Sequence, residues 1–234
     1  MDPLATAMIL AGVAGLAMPL GAGLAHVMER RLHPPTFHFI TALGGGALLS
    51  AVALVLVPEG AESLGGPWTV LLFVAGGLAF FAIDQALAAR GGAGSQLLAM
   101  LLDYVPEAAA LGALFVVDPG TSVLLAGLIF LQNLPEGFSS FREIEEGARV
   151  PARKIILLFG ALALLGPVCA ATGQIFLLER PGILGGIMVF SSGGILYLIF
   201  QDIAPQTPLP GDWRPPLGAV AGFALGLAGH LATA

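Results

Sequence analysis

Charge is what this chain has least of. Aspartate, glutamate, lysine and arginine make up 10% of its 234 residues, against roughly 25% in a soluble domain. So few charges cannot cover a water-facing surface, which excludes a cytosolic enzyme and a disordered chain. A nucleic-acid partner is excluded too, because there is no basic tract and the formal net charge is −6. Cysteine occurs once, at Cys169, so no disulfide can form within the chain. Period-two alternation is missing, against a membrane barrel. No Ser/His pair and no His-Glu-x-x-His motif falls in an apolar stretch, against an intramembrane enzyme. What is abundant is apolar: 57% hydrophobic residues and a mean hydropathy of +0.92. The composition describes an all-α integral membrane protein, with the lipid bilayer as its first partner.

A helix needs about 20 apolar residues to cross a bilayer. Charges, prolines and glycine-rich breaks mark eight such stretches, at 4–27, 36–57, 67–88, 95–117, 121–141, 154–178, 183–203 and 216–233. The connections leave no room for a soluble domain, so residues 1–234 read as a single eight-helix transmembrane domain. Only Asp2 precedes the first stretch and no cleavage site follows it, so it reads as a span rather than a signal peptide. Arg30, Arg31, Arg90, Arg142, Arg149, Arg153, Lys154 and Arg214 follow odd-numbered spans, and only Arg180 follows an even one. That bias puts both termini outside and the connection near 142–154 in the cytoplasm, where 142–149 is expected to be a solvated helix extension.

Carboxylates at the centre of a bilayer cost about 2.5–3.5 kcal/mol each even on the lenient scale. Asp103 and Glu107 nevertheless fall mid-way along the fourth stretch, and Glu136 mid-way along the fifth. Their setting repeats at a spacing of 29: Asp103-Tyr104-Val105-Pro106-Glu107-Ala108 and Gln132-Asn133-Leu134-Pro135-Glu136-Gly137. The first residue and the glutamate of each motif stand at i and i+4, on one helical face. Pro106 and Pro135 cannot bond the carbonyls of Leu102 and Leu131, which loosens each helix beside its glutamate. Antiparallel packing would bring Asp103, Glu107, Gln132 and Glu136 together at mid-depth. Such a set needs positive charge, and a divalent cation suits all-oxygen donors better than protons do. The bland alternative is a polar network tying two helices together, a task that amides and hydroxyls perform without three acids.

Other polar residues carry less. Glu59 and Glu62 close the second span outside, as a cation-attracting mouth or an interfacial turn. Gln201 and Asp202 end the seventh, as an exit relay or a helix end. Asp84 and Gln85 read as interfacial, and His26, His33, His38 and His230 as span-end residues rather than ligands. Tyr104 reads as packing, and Asn133 as a further candidate ligand. Glycine runs such as Gly44-Gly45-Gly46 and Gly193-Gly194 allow close helix approach. The second and seventh spans share a pattern, Gly-Gly followed later by Val57-Pro58-Glu59 or Ala204-Pro205-Gln206, as inverted repeats would.

These motifs resemble the ZIP (Zrt/Irt-like) divalent-metal transporters. Gln132–Gly137 closely matches that family's fifth-span motif and Asp103–Ala108 more loosely its fourth. Ser191-Ser192-Gly193-Gly194-Ile195-Leu196-Tyr197 with Gln201-Asp202-Ile203-Ala204-Pro205 is similar to its seventh span. The resemblance implies eight helices with both termini outside, and a site of Asp103, Glu107, Gln132, Glu136 and Asn133. Its implied cargo is Zn²⁺, Mn²⁺ or Fe²⁺, with Cd²⁺ a further candidate, moved inward across the inner (plasma) membrane. No prosthetic group is implied; a homodimer is. The sequence departs from the family where Asp103 and Tyr104 replace His-Asn, and where Gly166 stands in place of a sixth-span acid. The loop Ala89–Ser95 carries no histidine. Carboxylate for imidazole hardens the site, and Mn²⁺ and Fe²⁺ lose less by that exchange than Zn²⁺. Two other functions stay open: a transport-dead metal sensor or regulatory subunit, and a proton-coupled carrier of an organic substrate.

Overall fold

The computed structural model describes residues 2–28, 34–88, 95–148 and 150–233. Arg30, Arg31, His33, Arg90 and Arg149 lie outside the described residues, as does the connection 89–94. Among the described residues no strand forms. Helical rods run over Pro3–Met28 (α1), Pro34–Leu64 (α2), Gly66–Ala88 (α3), Ser95–Val117 (α4), Pro119–Ala148 (α5), Ala152–Leu177 (α6), Pro181–Gln206 (α7) and Leu217–Thr233 (α8).

Proline and glycine set the punctuation. Pro3, Pro34, Pro119 and Pro181 open helices, where a missing N–H costs nothing. Gly65, at φ 75°, turns the chain between α2 and α3. Asp118 caps α5 by accepting from the Thr121 N–H (3.0 Å) and hydroxyl (2.6 Å), which holds its carboxyl below the usual carboxylate range. Six rods are long and apolar enough to cross a membrane: α1, α2, α3, α4, α6 and α7. In α5 the cluster Gln132, Asn133 and Glu136 dilutes the hydropathy, and α8 has only 17 residues. At 1.5 Å per residue α5 is about 45 Å long, longer than the roughly 30 Å hydrocarbon core. Its last turns therefore project as the expected extension, where Arg142 pairs with Glu146 at 3.2 Å.

The outside of the molecule is apolar. Ile9, Val70, Leu78, Leu157, Leu164, Val220 and Leu231 are all more than half exposed, a surface that water would not tolerate. This is a multi-pass membrane protein.

The rods form two groups of four. α1 packs on α5 and α6, and α4 on α5 and α6; α2 packs on α8 and α7, and α3 on α7. Within a group, glycines let backbones touch. A Cβ on Gly21 would overlap the Leu134 carbonyl, and one on Gly137 the Met18 carbonyl, across α1 and α5. Gly112 and Gly173 do the same for α4 and α6, Gly76 and Gly193 for α3 and α7, and Gly46 and Gly222 for α2 and α8. Between the groups, α2 and α8 face α5 and α4 faces α7, and the glycines there meet side chains instead: Gly44 of α2 meets Pro135 and Gly229 of α8 meets Leu124. Backbone-to-backbone contact joins each group; softer contact separates them.

Among the described residues two kinds of irregularity recur in pairs, beside a lone π-helical turn at Gly173–Leu177 in α6. α1 is interrupted at Leu16, three residues before Pro19, and α6 at Leu164, three before Pro167. π-helical turns at Val52–Leu56 in α2 and Ile199–Ile203 in α7 each precede a proline, Pro58 and Pro205. A proline removes one i to i−4 bond, and a wide turn absorbs the mismatch.

Candidate metal site

Helices α4 and α5 lie side by side, and their i, i+4 faces meet at mid-depth. The Gln132 amide donates from Nε2 to Glu107 Oε2 at 2.6 Å, and both side chains are fully buried. Asp103, 2% exposed, stands one helical turn from Glu107, and Glu136 one turn from Gln132. Glu107 lies within electrostatic reach of Asp103, and Glu136 within reach of Asp103 and Glu107.

Asn133 turns away from this face. Its Nδ2 donates to the Ala14 carbonyl of α1 at 3.4 Å, beside the interruption at Leu16. Tyr104, its counterpart in the other motif, donates to the carbonyls of Ala11 (3.0 Å) and Ala163 (3.1 Å). Ala163 is the carbonyl that Pro167 cannot bond, so the phenol repairs a defect in α6. The two motif positions thus tie α4 and α5 to the broken helices α6 and α1. Tyr104→Phe is expected to leave the Ala163 carbonyl buried without its partner and to cost about 1–3 kcal/mol, read as a lower melting temperature with metal binding unchanged.

The oxygens are what the site leaves over. Asp103 Oδ1, Glu107 Oε1, Gln132 Oε1, Asn133 Oδ1 and Glu136 Oε2 are buried without a hydrogen-bond partner. All five are acceptors. Among the described residues no lysine or arginine is buried to answer them. Nor are any three His, Cys, Asp or Glu side chains among those residues gathered closely enough to hold a metal ion as they stand.

Asp103 and Glu136 form the inner end of a cavity of about 50 Å³. It lies between the two groups of helices, with Thr41, Gly44 and Leu48 of α2, Ile195 and Asp202 of α7, and Gln96, Ser139 and Ser140 on its wall. It runs toward the end of the bundle where α4 begins and α7 finishes. That end is laced by His38 Nδ1 and the Gln206 carbonyl, 2.6 Å apart, and by the Gln96 N–H donating to Glu143 Oε2 at 3.0 Å. On the far side of the carboxylates the interior is apolar, with Val55, Leu56, Leu111, Leu125, Leu128 and Met188 buried.

Thr41, Gln96, Ser139 and Ser140 escaped the motif reading. Helical spacing does point to three of them: Ser139 and Ser140 follow Glu136 by three and four residues, and Gln96 precedes Asp103 by seven. The remaining polar candidates separate. Asp202 lines the cavity while Gln201 faces outward, Asp84 accepts from the Tyr197 hydroxyl at 2.8 Å, and Glu59 is half-buried beside exposed Glu62. No protein-family model matches the chain, and no curated protein is significantly similar to it in sequence.

Proposed function

We propose that the chain is a ZIP-like transporter of divalent metal ions of the Zn²⁺, Mn²⁺ and Fe²⁺ type across the inner membrane. The cargo is bound by Asp103, Glu107, Gln132 and Glu136; Asn133, whose amide is turned to the Ala14 carbonyl of α1, would join them only by rotating its side chain back. The observation that carries this reading is the five unpartnered oxygens on facing helices, with no buried basic side chain among the described residues. Unanswered acceptor oxygens in a low-dielectric interior call for a cation. A network serving only to join helices would leave no such surplus.

Transport follows from where the site lies. The carboxylates belong to the group α1, α4, α5 and α6, and the facing wall to α2 and α7. Displacing one group against the other across the softer contacts at Pro135 and Leu124 would carry the ion past the apolar seal. The paired interruptions of α1 and α6, and of α2 and α7, support two repeats of opposite orientation, eight spans and both termini outside. The arginine bias assigns the open end of the cavity to the cytoplasm.

Metal-dependent melting of the purified protein tests the reading. Zn²⁺, Mn²⁺ or Fe²⁺ raises the melting temperature of the wild type and leaves Glu136→Ala unmoved. A melting curve indifferent to all three ions, with a shift on acidification alone, would favour the proton-coupled carrier of an organic substrate.

A further inference from the structure

Two buried hydroxyls behave unlike the others. Ser50 and Ser192 donate to carbonyls of their own helices, each at 2.7 Å, the usual resolution for a hydroxyl in an apolar helix, and Ser122 donates to the Leu111 carbonyl of α4 at 3.1 Å. Thr41 on α2 and Ser140 on α5, 6% and 0% exposed, have unpartnered Oγ atoms, and both line the cavity beyond Asp103 and Glu136. Gln96 Oε1 on α4 is a third unpartnered oxygen on that wall, and Asp202 on α7 adds a carboxylate. A buried hydroxyl left unsatisfied is destabilising, and valine and alanine would fill the same volumes without that cost. The wall is therefore built for water. A cavity of 50 Å³ takes about three to five molecules at roughly 10–15 Å³ each.

Resting on the transporter reading, we propose that Thr41, Gln96, Ser140 and Asp202 form a second cation station, which holds a divalent ion through the ion's own water molecules. One carboxylate and three neutral oxygens supply too little charge to strip a hydration shell, and hard dications give theirs up reluctantly. Hydroxyl and amide oxygens accept hydrogen bonds from water polarised by the ion. The station bridges the two groups of helices, Thr41 and Asp202 from one and Gln96 and Ser140 from the other. It therefore exists only in the arrangement that opens the cavity, where the ion exchanges carboxylate ligands for water.

Equilibrium dialysis of the full chain in nanodiscs against radioactive Mn²⁺ tests this. The wild type binds in two classes. Thr41→Val/Ser140→Ala weakens the looser class about tenfold or more, as expected for losing two hydrogen-bonding groups, and shifts the tighter class by less than about threefold. Thr41→Ser, which keeps the hydroxyl, retains both classes and controls for misfolding. A single class untouched by the double variant overturns the second station and leaves the transporter reading standing. Loss of both classes in a folded double variant overturns it too, because the hydroxyls then belong to the carboxylate site. A wild type that binds no Mn²⁺ overturns both readings.

Discussion

Glu136→Ala abolishes high-affinity metal binding, and uptake with it. Glu136 is the carboxylate at which the cavity meets the buried site, and it carries an unpartnered oxygen. Removing one partner from a buried charge cluster costs about 2–5 kcal/mol, which weakens binding roughly thirtyfold to more than a thousandfold. The stability of the metal-free protein moves the other way. Three facing carboxylates without a cation destabilise the fold, so metal-free Glu136→Gln melts at or above the wild type. Titration calorimetry beside thermal melting checks both halves. Wild-type affinity in Glu136→Ala would remove that residue from the site, and a metal-free Glu136→Gln that melts well below wild type would make it a structural group.

Gly137→Ala has the next largest effect, and through a different cause. A Cβ there would overlap the Met18 carbonyl of α1, while the reciprocal Gly21 already abuts Leu134 of α5. Backbone cannot yield as a flexible side chain does, so α1 and α5 must separate, at about 1–3 kcal/mol. Because Gly137 directly follows Glu136, the displacement also tilts the ligand, and metal affinity falls together with stability. Gly127→Ala is the matched control on the same helix. Nothing lies within 4 Å of its added Cβ, so helix propensity leaves it neutral or stabilising by up to about 1 kcal/mol. Equal melting of the two variants would contradict the close α1–α5 contact.

Much of this architecture was legible because membrane helices announce themselves by composition. Apolar runs preceded by Pro3, Pro34, Pro119 and Pro181 give the starts of the rods to within a few residues, and α5's charged tail showed that it runs on past the apolar stretch. The second span, expected to end at 57, instead continues through Pro58 to Leu64 because a π-helical turn absorbs the proline. The spacing of 29 between Asp103 and Gln132 placed the acids on facing helices, because the i, i+4 geometry is local. Pairing of helices is not local. That α1 joins α5 and α6 while α2 joins α8 depends on glycines finding carbonyls tens of residues away, as Gly46 finds Ala219. Asn133 illustrates the same limit: its motif position matches Tyr104, yet both side chains serve carbonyls beside helix breaks. Those breaks did have a signal, Pro19 and Pro167, whose equal distance from Leu16 and Leu164 matters only once α1 and α6 are seen together. Thr41 and Ser140 are indistinguishable by sequence from Ser50 and Ser192; only the missing back-bond to their own helices sets them apart.

Uptake into proteoliposomes separates a carrier of metal ions from a protein that only binds them. Purified wild type and Glu107→Ala/Glu136→Ala are reconstituted side by side, and entry of Zn²⁺, Mn²⁺ and Fe²⁺ is followed under an imposed metal gradient. The wild type takes up metal saturably, with Mn²⁺ and Fe²⁺ favoured by the all-oxygen site, and the double variant shows no uptake above empty liposomes. No wild-type uptake despite metal-dependent stabilisation would contradict transport and leave a metal-binding sensor, and uptake undiminished in the double variant would contradict the site itself.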